Sequence, residues 1–152
     1  MGYQLAQFNI ARLIEPLDSD ESSEFVRALD PINMLADVSP GFVWRLQGED
    51  GQPSSYLKIP EIDDPDMLVN FTIWDDLASF THYVYRSGHG AYFRRRREWF
   101  AASELAQVVC WWIPAGERPP TAEGYERLLH LREHGPSERG WPPNKPFDQP
   151  GS

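Results

Sequence analysis

Leu68-Val-Asn-Phe-Thr-Ile-Trp74, the run from Asp75 to Phe100 broken at Ser87-Gly88, and Gln107 to Ile113 together decide the fold. In the strand predicted over Met67 to Trp74, the odd positions Met67, Val69, Phe71 and Ile73 are all apolar. The even positions Leu68, Asn70, Thr72 and Trp74 are mixed, so both faces of this strand need cover. Asp75 or Asp76 offers a carboxylate to the first free amides of the next helix, whose apolar stripe is Leu77, Phe80 and Val84. Ser87-Gly88 interrupts that helix, and a second segment is predicted from His89 to Ala102. Gln107 to Ile113 is again a strand. A helix laid over a sheet follows, with many polar-tipped aromatics beneath it.

Working outward, Tyr3 to Ile10 alternates apolar and polar residues and predicts a first strand. Asp18-x-x-Glu21 has the spacing of a helix start. Phe25, Leu29, Ile32 and Leu35 or Ala36 then recur at helical spacing, with Pro31 expected to kink or divide the helix. Ser39-Pro40-Gly41 ends it. Phe42 to Gln47 is a second strand, Gly48 to Gly51 a turn, and Tyr56 to Ile59 a short edge strand. After Pro119-Pro120, Thr121 is expected to cap a last helix that turns Tyr125, Leu128 and Leu129 inward and stops at Gly135-Pro136. Five prolines follow from Pro136 onward, with Trp141 and Phe147 expected to dock an extended tail on the body or on a second subunit. The expected division is a domain over 1–135 and a docked, Pro-rich tail over 136–152.

The order is β-α-β-β-α-β plus a C-terminal helix, which is the α+β, ferredoxin-like arrangement. Four antiparallel strands with helices on one face leave the other face bare. An apolar bare face is usually closed by a second copy, so a homodimer is expected.

A chain of 152 residues is the size of one domain. The single cysteine, Cys110, excludes an internal disulfide framework and a multi-cysteine zinc site. Its apolar flanks predict an inert buried thiol. No basic-then-apolar leader and no run of about 18 apolar residues is present, so a cytoplasmic protein without a membrane partner is expected. The net charge of −9 argues against nucleic acid as a partner. Residues 1–75 hold 14 acids and 4 bases, whereas 76–152 hold 9 acids and 10 bases. The one dense basic run, Arg94 to Arg97, is either a solvated helix face or a site for an anion or carboxylate. No Gly-x-Ser-x-Gly and no phosphate-cradling glycine loop occurs.

Ile10-Ala-Arg12, Ser39-Pro-Gly-Phe-Val-Trp-Arg-Leu46, Val69-Asn70 with Ile73-Trp74, Tyr85-Arg-Ser87-x-His89, Arg94-Arg-Arg-Arg-Glu-Trp-Phe100 and Trp111-Trp-Ile-Pro-Ala-Gly116 resemble an uncharacterised bacterial family, domain of unknown function 3291. The likeness runs from Leu5 to Pro150. It implies membership of the dimeric α+β barrel superfamily, which includes antibiotic-biosynthesis monooxygenases, haem-degrading enzymes and small binding proteins. Fold of this kind does not fix the reaction. In the haem-degrading relatives an asparagine, a tryptophan and a histidine line the pocket. The resemblance offers Asn9 for the first, but Tyr83 stands near the second. Phe93 or Arg94 stands near the third, with His89 about a turn earlier. In the cofactor-free, quinone-forming relatives an Asn and a Trp of the sheet hold a phenol. Asn70 and Trp74, four residues apart on one strand face, fit that role.

The candidate site follows from these residues. Asn9, Asn70, Trp74 and Tyr83 are the substrate-binding candidates. His89, Tyr85, Arg94 and Arg97 are the catalytic candidates, with His89 or Tyr85 moving a proton and Arg94 or Arg97 stabilising an anion. His89 is also readable as a helix-junction cap, and the aromatics as packing. The expectation is a small-molecule-binding protein, in one reading a cofactor-independent monooxygenase acting on an aromatic substrate. The alternative is a non-enzymatic binding module for a hydrophobic metabolite or haem. No metal and no cofactor is expected, haem through His89 excepted.

Overall fold

The computed structural model describes residues 2–48, 52–54 and 57–151. Four antiparallel strands, β1 (Tyr3–Arg12), β2 (Phe42–Arg45), β3 (Met67–Trp74) and β4 (Val108–Pro114), form one sheet in the order β2-β3-β1-β4. Helix α1 (Ser23–Asp37) connects β1 to β2, α2 (Leu77–Arg86) and α3 (Gly88–Arg94) connect β3 to β4, and α4 (Thr121–His134) follows β4. With the two central strands β1 and β3 flanked by β2 and β4, this is the ferredoxin-like α+β fold.

Pleating sorts the residues into two faces. Leu5, Gln7 and Asn9 lie beside Trp74, Thr72 and Asn70 on one flank and Trp112, Cys110 and Val108 on the other. This first face carries α1 and α2, whose Ala36, Phe80, Tyr83 and Val84 pack with Leu5, Trp74 and Cys110. The second face holds Ala6, Phe8, Ile10, Val69, Phe71, Ile73, Val109 and Trp111, which pack with Leu128 and Leu131 of α4.

That second face departs from expectation. It is not bare: Phe8, Phe71 and Trp111 are at most 1% exposed within one chain. The helix α4 lies across β1 and β4 and takes the place of a partner sheet. A close approach makes this possible. A Cβ added at Gly124 would sit 2.6 Å from the Phe8 ring, so only glycine lets the helix settle there. The buried stripe of α4 is therefore Gly124, Leu128 and Leu131, and Leu129, expected inside, is 43% exposed. The apolar area that called for a homodimer is thus covered by the chain itself.

Local details follow the residues. The start predicted at Asp18 becomes a 3-10 turn over Asp20–Ser22, and α1 begins at Ser23. It runs through Pro31 without dividing, with Pro31 on its exposed side. Asp76 caps α2 by accepting from the Ser79 amide at 2.8 Å. Ser87 ends α2 and caps α3 by accepting from the His89 amide. α3 stops at Arg94, well short of Ala102, and a 3-10 turn over Arg96–Glu98 follows. Of the turn expected at 48–51, residues 49–51 lie outside the described residues, as does Tyr56 of the expected edge strand; Leu57–Ile59 form no strand. Past α4, Trp141 exchanges two backbone hydrogen bonds with Cys110, at 2.8 and 3.0 Å, on the outer edge of β4. Trp141 is fully buried, and Trp112 Nε1 donates to the Phe147 carbonyl at 2.7 Å.

Candidate functional site

The first sheet face carries a row of polar side chains under the helices. Asn9 and Asn70 are direct partners across β1 and β3, and Gln7 and Thr72 form the next pair. Trp74 Nε1 donates to Thr72 Oγ1 at 2.9 Å, Thr72 Oγ1 donates to Gln7 Oε1 at 2.8 Å, and Gln7 Nε2 donates to Asn9 Oδ1 at 2.5 Å. The chain runs from a fully buried indole towards the half-buried Asn9. It fixes the Asn9 amide, and among the described residues neither the Asn9 NH2 nor the Asn70 amide has a side-chain hydrogen bond. The Asn9 NH2 and the Asn70 amide, side by side on the sheet floor, can hold the polar edge of a flat molecule.

Above this floor the aromatics form a ladder. Trp74 packs on Tyr83 at 5.1 Å between ring centroids, Tyr83 on His89 at 4.7 Å, and His89 on Phe93 at 6.2 Å. His89 lies at the start of α3 because the Ser87 break turns the chain inward there. Its Nδ1 donates to the Val84 carbonyl at 3.1 Å, which fixes the tautomer and leaves the Nε2 lone pair without a partner among the described residues. Burial pushes the imidazole below its ordinary value of 6.5, against the opposing pull of the Val84 carbonyl. The ring is therefore neutral at neutral pH, with a bare acceptor nitrogen.

The expected site residues divide sharply. Trp74, Tyr83 and His89 are linked by ring contacts, and Asn9 and Asn70 lie on the same sheet face as Trp74. Trp74 is fully buried with its N–H used by Thr72. Tyr83 donates its hydroxyl to the Ile32 carbonyl at 3.2 Å, and burial drives its pKa up, so it is a packing residue rather than an acid or base. Tyr85 is 48% exposed and leans on the Phe93 ring. Arg94 and Arg97 are exposed, without an ion pair among the described residues. The arginines of that run with partners are Arg95, bound by Glu24 and Glu98, and Arg96, which donates to the Phe93 carbonyl and covers its ring. The run thus splits as a solvated helix face splits. His82 is exposed as well.

Gln7, Thr72 and Arg45 belong to the layer and went unmarked in the sequence. Arg45 pairs with Thr72 across the sheet and is held in a bidentate grip by Asp37 at 2.7 and 3.2 Å. The signal for Gln7 and Thr72 was available: each is polar between apolar neighbours on a central strand, and a buried polar group needs a partner.

No group of three His, Cys, Asp or Glu side chains able to hold a metal occurs among the described residues. Of a haem site these residues supply one part, the His89 lone pair. Two surface grooves of about 270 and 380 Å3 lie elsewhere, and neither is lined by His89, Asn70 or Trp74. No described helix is long and apolar enough to cross a membrane.

Strand order and helix placement define a ferredoxin-like α+β protein. Its family is equally definite. The chain belongs to the family described as Domain of unknown function (DUF3291), whose profile matches residues 4–152. No curated protein sequence matches it. Among solved structures, it is similar to a protein of unknown function from Nitrosomonas europaea, with 14% identity, TM-score 0.51, and coverage of 78% of this chain and 96% of that one. It is also similar to SnoaB, a cofactor-independent oxygenase from Streptomyces nogalater, with 14% identity, TM-score 0.47, and coverage of 77% and 97%. A dabb family protein with a ferredoxin-like fold from Mesorhizobium loti gives 19% identity, TM-score 0.45, and coverage of 76% and 100%. At these identities the likeness concerns the fold.

Proposed function

We propose that the protein binds a small, flat aromatic molecule between the first sheet face and α1–α3, and oxidises it without a cofactor. The observation that carries this reading is His89: neutral, oriented by Val84, and with Nε2 unpartnered among the described residues, on the side of the sheet that also carries the Asn9 NH2 and the Asn70 amide. The two amides hold the substrate's oxygen edge, and His89 Nε2 removes the proton from the activated ring carbon. The resulting carbanion is stabilised by those amides and reacts with dioxygen. A CH2 group becomes a carbonyl, one oxygen atom enters the product and the other leaves as water. Trp74, Tyr83 and the Thr72–Gln7 chain keep the floor in position. Tyr85, Arg94 and Arg97 have no part in the step.

The test is oxygen uptake by the purified protein with an anthrone-type substrate. A positioned general base contributes about 10²–10⁴-fold, so His89→Gln should lower the rate by that order. Asn70→Ala should raise KM and lower kcat together. The second reading, a binding module for a hydrophobic metabolite or haem, rests on the same bare Nε2. A Soret band that disappears in His89→Gln would favour haem. A colourless protein that binds aromatics but consumes no oxygen would favour simple binding.

A further inference from the structure

We infer a second ligand site, for a small amphipathic carboxylate, in the groove at the far end of the second sheet face. This groove, of about 270 Å3, lies where α4 leaves the sheet, and it is lined by Ile10, Met67 and Leu105 with Arg12, Gln107 and Arg132 among others. It is separate from the layer that holds His89 and does not depend on the reading given to that layer.

Its decisive residue is Arg132. The Nε donates to the Ala106 carbonyl at 2.7 Å, which fixes the plane of the guanidinium. No carboxylate lies within ion-pair distance of it among the described residues, so its two terminal nitrogens keep their donors free. The other arginine is different: Arg12 is paired with Asp64, so its charge is already met. One unneutralised, oriented guanidinium beside an apolar wall selects a planar anion, because the guanidinium fork matches both oxygens of a carboxylate. The apolar part of the ligand would lie against Ile10 and Met67. Leu105, at the rim, is 57% exposed, a large apolar side chain that a bound molecule would cover.

Benzoate and benzyl alcohol, equal in body and different in charge, test this on the full chain by calorimetry, with amide NMR shifts to locate the binding. Benzoate should bind at least about tenfold more tightly than the alcohol, a fair return for charge-assisted hydrogen bonds. The shifts should centre on Leu105, Gln107 and Arg132. Arg132→Gln should abolish the preference for the acid, and Arg132→Lys should restore part of it. Ala102→Phe, which fills the groove from an exposed loop position, should block both probes and decides the matter if Arg132→Gln does not fold. Equal binding of acid and alcohol, absence of benzoate binding at millimolar concentration, or binding untouched by Ala102→Phe would each overturn the site.

Discussion

Thr72 serves two buried neighbours at once, accepting from Trp74 and donating to Gln7. Thr72→Val keeps the shape and strands both partners in the core. Each orphaned group costs about 1–3 kcal/mol, so the variant should lose roughly 2–6 kcal/mol in urea unfolding. His89 gives a pH signature. Its folded pKa lies below its ordinary 6.5, so the unfolded chain takes up the proton first as pH falls. Stability is therefore complete above about pH 6.5 and declines below it, down to the depressed folded value. His89→Gln should flatten that decline in urea midpoints measured across about pH 5–7. Some slope will remain, because His130 is also held down, first by desolvation and then by Arg139 and His134. At this scale the sequence was half legible. Asn70 stood out as a polar group in an apolar strand, Asn9 through the family likeness, and His89 as a histidine just past a helix break. Tyr85, Arg94 and Arg97 lie on outward sides: Tyr85 is 48% exposed on α2, Arg94 is the exposed last residue of α3, and Arg97 falls in the 3-10 turn beyond it.

The elements were the more legible scale. Strand alternation, the Asp76 cap and the Ser87-Gly88 break are local codes, and each is realised where it was read. Asp76→Ala should cost about 1 kcal/mol through the loss of the Ser79 amide's acceptor. What local codes cannot contain is where α4 docks. A glycine in a helix is read as a weak point, yet Gly124 is the contact that lets α4 sit against Phe8. Gly124→Ala separates the two views. Helix propensity alone favours alanine by about 1 kcal/mol. The added methyl would meet a Phe8 ring that is fully buried and held edge-on by Phe71, and overpacking of this kind costs about 1–3 kcal/mol. A net fall in melting temperature is expected.

For the whole molecule, burial of the second sheet face inside one chain changes what association means. Folding does not need a second copy to cover Phe8, Phe71 and Trp111. The unfolding midpoint should therefore be independent of protein concentration, whereas an obligate pair would melt higher when concentrated. A dimer found by sedimentation would not need Phe8, Phe71 and Trp111 as its contacts. The open flank of β4 carries a separate consequence. Trp141 sits on that flank like a latch, and the Cys110 thiol is sealed beneath it, fully buried and with its pKa driven up by burial. The lone thiol is thus a built-in clock for unlatching: the rate at which a thiol reagent finds it reports how often the C-terminal strap lifts and offers a raw sheet margin to a stranger's backbone.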